Sequence, residues 1–269
     1  MGRPAPVCSQ TKDRIPATHI PWLRLAIGDL HGNLKALEDL MARVLPEMRP
    51  DDTLVLLGGY IDRGPDSWGC VERILRLREQ ASFRVVALLG NHEQWMLRSL
   101  HDLKRHSWLV GMKALDTVQS YSKEAAELIV RAMEEEYGRR LFFERVALPY
   151  VAFFDAMPPE HLRFYEELKP FHQTPDVVWG SLGFPEDYVG NDAVVYGHRD
   201  NAIMDGDGIP RPRIGANRTY GIDTISHGVL TAMRFPDGKV FQSTRSEARA
   251  ALPPPKCSAT GRVRYRRGP

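Results

Sequence analysis

The chain has 269 residues, 43% hydrophobic and 26% charged side chains, and a formal net charge of +2. These values are close to the averages of globular proteins, so they argue against disordered and fibrous classes, and the small net charge argues against a dedicated nucleic-acid binder. A chain of this length can bury the core of one α/β domain without a second unit.

The first residues lack the apolar core of a secretion signal, and Pro6 stands where a myristoylation motif needs serine or threonine. No apolar run reaches the ~20 residues of a membrane span. The three cysteines, Cys8, Cys70 and Cys257, have no CxxC spacing, so they predict neither a disulfide framework nor a zinc site. We therefore expect a cytoplasmic protein without membrane association, which begins with a flexible segment at residues 1–19.

Three short apolar runs in the first half of the chain predict buried strands. They are residues 23–27 (LRLAI), 53–57 (TLVLL) and 84–89 (RVVALL), and each is followed by a glycine: Gly28, Gly58 and Gly90. Apolar residues recur at helical spacing between these runs, after Asn33 as the predicted N-cap of the first helix and after the Gly64-Pro65 turn in the second. This βαβαβ order predicts a parallel sheet.

The pattern changes twice in the rest of the chain. Residues 93–140 and 158–169 have helical patterns, which we interpret as a helical insertion over the site. Residues 177–242 contain five short β-like runs (DVVW, AVVYG, TYGID, GVLTAMRF and KVFQS), and we assign all of them to a second sheet. The main domain is then predicted at residues 20–245, followed by a proline-rich, basic and flexible tail at residues 246–269.

Polar side chains follow each predicted strand at its carboxyl end, where open α/β sheets bind their ligands. Asp29 and His31 are two residues apart, so in an extended chain they project to the same side and can bind one metal ion. The three motifs that contain Asp29, Asp62 and Asn91 lie roughly 30 residues apart, about one strand and helix each. His198 follows the AVVYG run and is a further candidate ligand.

These motifs occur in the order GDLHG, GGYIDRG, GNHE, YGH and GIDTISHG. Together they resemble the phosphoprotein phosphatase family of calcineurin-like metallophosphoesterases, in particular its bacterial serine/threonine protein phosphatase branch. The resemblance covers residues 22–243 and includes the Trp, Gly and Ser-Tyr pattern of residues 108–121. It implies an α/β fold, a sandwich of two mixed sheets flanked by helices with a helical insertion.

The resemblance also implies a chemistry, the hydrolysis of a phosphorylated protein or a small phosphoester with two divalent metal ions, Mn²⁺ or Fe²⁺/Fe³⁺. By motif position, Asp29 and His31 would hold the first ion, and Asn91 and His198 would hold the second.

Three further residues receive catalytic roles from the same resemblance. His92 would protonate the leaving group, and Asp62 would orient its imidazole ring. Arg63 would bind the phosphate through charged hydrogen bonds.

The sequence departs from the family pattern at Gly59, where the second motif of the family has an aspartate that bridges the two ions. Glycine offers no side-chain ligand, so we expect an aspartate at this position to strengthen metal binding. With only two recognisable ligands for each ion, activity is expected to be low and to need added manganese.

A second departure follows Asp176, where the family has a strand that ends in His-Ala-Gly or His-Gly-Gly, then a loop and a Trp-x-Arg segment. Here the chain continues as VVWGSLGF. We predict that the histidine-bearing strand and loop are absent and that Ser181 stands in the place of the arginine. His161, His172 and His227 are candidate replacement ligands, but a surface or structural role is favoured for each of them.

Three functions remain open from the sequence. The first is a phosphatase that acts on phosphoserine or phosphothreonine proteins or on small phosphoesters, which Asp62 before the arginine favours. The second is a nucleotide or dinucleoside polyphosphate hydrolase, because residues 63–67 (RGPDS) also resemble the segment of symmetrical diadenosine tetraphosphate hydrolases. The third is a catalytically impaired relative that binds phosphorylated partners, which Gly59 favours.

Overall fold

A computed structural model describes residues 23–103, 106–137, 147–181, 192–215 and 218–245. The segments predicted as flexible, residues 1–19 and 246–269, lie outside these ranges. Within the ranges, no helix is both long enough and apolar enough to cross a membrane.

The first sheet has five strands, and its three N-terminal strands run parallel as predicted. They are β1 (Arg24–Ile27), β2 (Thr53–Leu56) and β3 (Arg84–Ala87), each one to two residues shorter than the apolar run that predicts it. The predicted parallel pairing of these strands is therefore confirmed. Its physical reason is that two parallel strands need a long crossover connection, and the helices between the strands supply it.

The same sheet is completed by two strands from the end of the domain. They are β9 (Thr231–Phe235), which pairs antiparallel with β1, and β10 (Val240–Gln242) at the edge. Our assignment of these two runs to the second sheet is wrong. Their apolar pattern predicts strands, but β1 offers a free edge in the first sheet, and only the tertiary structure decides which edge they take.

The second sheet also has five strands. They are β4 (Phe171–Gln173), β5 (Val177–Gly180), β6 (Ala193–Tyr196), β7 (Arg213–Ile214) and β8 (Thr219–Gly221). Their order in the sheet is β4-β5-β6-β8-β7. Parallel pairs join β5 to β6 and β6 to β8, and the two outer strands are antiparallel to their neighbours.

The two sheets pack face to face. Ala26 and Val55 of the first sheet are buried with Trp179 and Val195 of the second, whereas Leu25 and Leu54 belong to the core under the helices. Alternate residues of β1 and β2 therefore enter two different cores, which explains why these strands are apolar on both faces.

The helices occupy the connections of the first sheet and the predicted insertion between β3 and β4. The crossover helices are α1 (Leu34–Val44) and α2 (Ser67–Gln80). The insertion contains α3 (Asn91–His101), α4 (Ser107–Gly111), α5 (Leu115–Tyr121), α6 (Lys123–Tyr137), α7 (Tyr150–Asp155) and α8 (Pro159–Glu167), and α9 (Asn201–Asp205) follows β6.

Asn33 precedes α1 as predicted, but its side chain accepts no hydrogen bond from the helix. Its Nδ2 atom instead donates to the carbonyl oxygens of Leu30 and His31, both at 2.8 Å. Asn33 therefore takes the N-cap position as predicted, and its side chain fixes the loop that carries Asp29 and His31.

Candidate active site

The loops after four strands meet at one edge of the sandwich. The loop after β1 carries Asp29 and His31, the loop after β2 carries Asp62 and Arg63, α3 begins after β3 with Asn91 and His92, and the loop after β6 carries His198. Parallel strands end at a common edge, which is why residues far apart in the sequence come together here.

Asp29 and His31 form the first pair at this edge. Both are buried, and His31 Nε2 lies 3.8 Å from Asp29 Oδ2. His31 Nδ1 donates to the carbonyl of Ile61 at 2.9 Å, so Nε2 carries the lone pair, and Arg63 donates to it at 3.1 Å. The other Asp29 oxygen accepts from the backbone N–H of His198 at 2.8 Å. Burial raises the pKa of Asp29 to about 7 and lowers the pKa of His31 well below its usual value.

His92 and Asp62 form the second pair, joined by a hydrogen bond of 2.7 Å between His92 Nδ1 and Asp62 Oδ2. Asp62 also accepts from Thr117 Oγ1 at 2.7 Å and from Trp108 Nε1 at 3.0 Å. These two donors come from α5 and α4, so the helical insertion covers the site. Burial disfavours the charged form of both partners, and it raises the pKa of Asp62 to about 8 and lowers the pKa of His92 to about 3.

The His92 ring stands edge-on to the His31 ring, with 4.5 Å between the ring centroids. The hydrogen bond to Asp62 holds Nδ1 of His92 and leaves Nε2 as the atom that can exchange a proton. The pair is therefore arranged for proton transfer beside the Asp29–His31 pair.

Asn91 and His198 form the third pair, with 3.0 Å between Asn91 Oδ1 and His198 Nδ1. The side chain of His198 is exposed, and its backbone has a left-handed conformation with φ +73°. Neither side chain carries a negative charge. This pair therefore attracts a cation less strongly than the Asp29–His31 pair, which contains a carboxylate.

Glu93 organises the site, and the sequence analysis gave it no role. Its buried carboxylate accepts from the backbone N–H groups of Gly59 and Gly90, both at 3.0 Å, and from that of Tyr60 at 2.7 Å. One side chain thus ties the loop after β2 to the start of α3. Burial raises the pKa of Glu93 to about 7. A glutamate three residues after Gly90, at the start of a predicted helix, is the signal that could have identified it.

The profile of the calcineurin-like phosphoesterases matches residues 24–199, which is more than half of the chain. The protein belongs to this family. The resemblance and the fold class expected from the sequence are thereby confirmed.

Two similar proteins match very different shares of this phosphoesterase. The asymmetrical bis(5'-nucleosyl)-tetraphosphatase PrpE of Oceanobacillus iheyensis is 28% identical over 244 residues, 82% of this chain and 91% of that protein. The serine/threonine-protein phosphatase 1 of Salmonella typhimurium is 41% identical over 88 residues, 32% of this chain and 36% of that protein.

A similar fold occurs in a crystal structure of a protein that is provisionally assigned as a diadenosine tetraphosphatase. The TM-score is 0.53 at 18% identity, and the match covers 84% of this phosphoesterase and 94% of the other chain. At this identity the likeness concerns the fold only.

Gly59 lies against Asp29 in the phosphoesterase. Its backbone has φ +61°, and a Cβ atom on residue 59 would overlap Oδ2 of Asp29. A Cβ atom on Gly197 would overlap Oδ1 of the same carboxylate. The Asp29 carboxylate thus fills the space beside both glycines. An aspartate side chain at position 59 would have to displace Asp29, which argues against our expectation that it adds a metal ligand.

We predict that Gly59→Ala lowers the free energy of unfolding by about 2–4 kcal/mol, because it adds left-handed backbone strain and overlap with Asp29. Gly206→Ala is the matched control, since Gly206 has φ +72° with open space around its Cβ direction. The control should lose only about 1–2 kcal/mol. Urea unfolding of both variants measures the difference.

The same crowding predicts that Gly59→Asp binds manganese no more tightly than the unsubstituted protein. An isothermal titration with Mn²⁺ measures this. Tighter binding by Gly59→Asp would contradict the prediction and would mean that Asp29 moves aside at little cost.

The DVVW run forms a strand of the second sheet, as predicted. This strand, β5, lies inside the sheet parallel to β6 and ends just before the buried Ser181. β5 carries no histidine, and the absence of the histidine-bearing strand and loop of the family stays a prediction. The loop that follows, residues 182–191, lies outside the described residues.

The three other histidines have different surroundings. His161 is buried in the helical insertion between Tyr121 Oη at 2.8 Å and Glu72 Oε2 at 3.1 Å. His172 lies on the edge strand β4, and His227 Nδ1 lies 3.7 Å from Asp200 Oδ1. These positions give His161 a structural role between α2, α5 and α8.

The donor set fits one divalent ion better than a bridged pair. Asp29 and His31 supply a carboxylate oxygen and an imidazole nitrogen that face each other, whereas Asn91 and His198 supply only neutral donors. Among the described residues, no group of three or more His, Cys, Asp or Glu side chains converges as a metal site. Residue 59 adds no bridging oxygen, so a resident pair of ions held by a shared carboxylate at this position does not fit.

Proposed function

We propose that this phosphoesterase hydrolyses a phosphoric anhydride bond in a nucleotide or dinucleoside polyphosphate, with help from a divalent metal ion. The reaction class is supported by the His92–Asp62 pair, which lies beside Arg63 and the Asp29–His31 pair. The choice of substrate is supported by the similarity to a bis(5'-nucleosyl)-tetraphosphatase over 82% of the chain.

Asp29 and His31 would hold the ion, for which we propose manganese or iron. When bound, such an ion neutralises phosphate charge and makes water a stronger nucleophile. The buried Asp29 carboxylate favours this role, because a nearby cation offsets the free-energy cost of keeping a negative charge away from water.

Arg63 and His92 would act directly on the substrate. Arg63 is exposed at the mouth of the site, where its guanidinium can bind two phosphate oxygens at once. Because burial keeps both partners neutral near pH 7, Asp62 would donate its own proton to Nδ1, so that Nε2 carries the ring proton. His92 would give this Nε2 proton to the leaving oxygen, while Asp62 keeps the ring oriented.

A serine/threonine phosphatase is the second candidate function. It is supported by the 41% identity to serine/threonine-protein phosphatase 1 of Salmonella typhimurium, although that match spans 88 residues. A catalytically impaired phosphate-binding protein is the third candidate, and Gly59 supports it. The cytoplasmic location, the preference for manganese and the absence of a nucleic-acid partner stay predictions.

A substrate panel tests the proposal. The full chain with added Mn²⁺ is given diadenosine tetraphosphate, a phosphoserine peptide and p-nitrophenyl phosphate at equal concentrations, and the products are separated by anion exchange. We expect the highest kcat/KM for the dinucleotide. A higher value for the phosphopeptide would support the second candidate function, and no turnover of any substrate would support the third.

A further inference from the structure

The turn after β2 contains two consecutive residues, Asp62 and Arg63, with left-handed backbone conformations. Their φ angles are +71° and +68°. Residues with a Cβ atom take this conformation only rarely, so the turn is strained and needs contacts that hold it in place. The strain falls on the carboxyl group that orients His92 and on the guanidinium group that faces the phosphate.

The hydroxyl group of Thr117 supplies such contacts from the helical insertion. Its Oγ1 atom accepts from the backbone N–H of Asp62 at 2.8 Å and donates to Oδ1 of the same residue at 2.7 Å. Ser67 Oγ lies 3.0 Å from Thr117 Oγ1 and can donate to the remaining lone pair. This buried hydroxyl group therefore uses its one proton and both of its lone pairs.

The two bonds to Asp62 have different consequences. The bond to Oδ1 fixes the carboxyl group, whose other oxygen lies 2.7 Å from His92 Nδ1. The bond to the backbone N–H fixes the strained turn that carries Arg63, and the guanidinium group of Arg63 lies 3.1 Å from His31 Nε2. Trp108 differs from Thr117, because its single N–H group is directed at the two carboxyl oxygens, at 3.0 and 3.2 Å.

We propose that Thr117 is a positioning residue for the proton donor and for the phosphate-binding arginine at the same time. Thr117 lies on α5, so the position of this helix determines whether His92 and Arg63 can act together. α5 is fixed to the start of α2, since the backbone N–H of Trp68 donates to Ser120 Oγ at 3.2 Å. The inference rests on the proposed function for the roles of the two groups and adds the residue that couples them.

The test compares Thr117→Val, which removes the hydroxyl group and keeps the shape of the side chain, with Thr117→Ser, which keeps the hydroxyl group. Kinetics with added Mn²⁺ on phenyl phosphate and p-nitrophenyl phosphate measure proton donation, and isothermal titration with inorganic phosphate measures the arginine without turnover. In Thr117→Val, kcat should fall about tenfold further for phenyl phosphate than for p-nitrophenyl phosphate. Phosphate binding should weaken about tenfold. Thr117→Ser should stay close to the unsubstituted protein in both measurements.

Two further variants separate positioning from stability. Thr231→Val removes the hydroxyl group of an equally buried threonine on β9, which lies 2.7 Å from the hydroxyl group of Thr224. It should change neither the ratio of the two esters nor phosphate binding, even where it lowers stability as much as Thr117→Val does. Trp108→Phe should change the ratio of the esters but bind phosphate as the unsubstituted protein does, because Trp108 holds the carboxyl group and not the backbone of the turn.

Three results would overturn the inference. They are equal losses with both esters in Thr117→Val, unchanged phosphate binding in that variant, and losses in Thr117→Ser as large as those in Thr117→Val. The same losses in Thr231→Val would also overturn it, because lowered stability would then explain them. Failure of the proposed function is distinct, since it appears as missing turnover by the unsubstituted protein, and the phosphate titrations of Thr117→Val and Trp108→Phe then decide the inference alone.

Discussion

His92→Ala is expected to lower kcat by about 10²- to 10⁴-fold, the usual contribution of a positioned general acid. The structure supplies the reason, because the bond of 2.7 Å to Asp62 fixes one ring nitrogen and leaves the other for the leaving group. Loss of a proton donor matters most when the leaving group is a strong base. The loss should therefore be larger for phenyl phosphate than for p-nitrophenyl phosphate, and kinetics with added manganese on both esters measure it.

His101→Ala is the matched control for this experiment. His101 ends the same helix, α3, and its side chain is exposed, so kcat should stay unchanged. An equal loss with both esters in His92→Ala would show that His92 positions other groups without donating a proton. No loss at all would remove His92 from the mechanism.

Glu93→Gln is expected to lower the free energy of unfolding by about 2–5 kcal/mol, with a metal chelator present to separate stability from ion binding. The carboxylate accepts N–H groups with both oxygens, from Gly59 and Gly90 on one side and from Tyr60 on the other. A glutamine has one acceptor oxygen, so its amide group would face N–H donors and leave them unpaired. Equilibrium urea unfolding measures the change.

Glu79→Gln serves as the comparison, since Glu79 is exposed on α2 and the same substitution there should stay within about 0.5 kcal/mol. We also expect Glu93→Gln to weaken Mn²⁺ binding, because the loop that carries Gly59 and the start of α3 at Asn91 lose their common anchor. A stability equal to that of the unsubstituted protein would mean that water or a rearranged loop satisfies these N–H groups.

Much of the fold could be predicted from local patterns. β1, β2 and β3 follow from apolar runs of the right length, and their parallel order follows from the helices between them. The strands β9 and β10 were predicted as strands but placed in the wrong sheet. A short apolar run determines that a segment pairs, but the choice of partner depends on which sheet edge remains free after the rest of the chain has folded.

For the candidate site, too, some properties follow from the sequence and others only from the tertiary structure. The sequence by itself determined which side chains can do chemistry and that they follow strand ends, because residue type and strand periodicity are local properties. It therefore predicts Asp29, His92 and His198 as candidate site residues.

Only the tertiary structure decided what surrounds these groups. It placed the Asp29 carboxylate in the space beside Gly59 and gave Glu93 its backbone donors. It also left the hydroxyl group of Ser181, just after β5, buried with no hydrogen-bond partner among the described residues. Each of these facts depends on contacts between segments that are distant in sequence. Such contacts arise from the packing of two sheets and an insertion, and neither periodicity nor motif spacing encodes them.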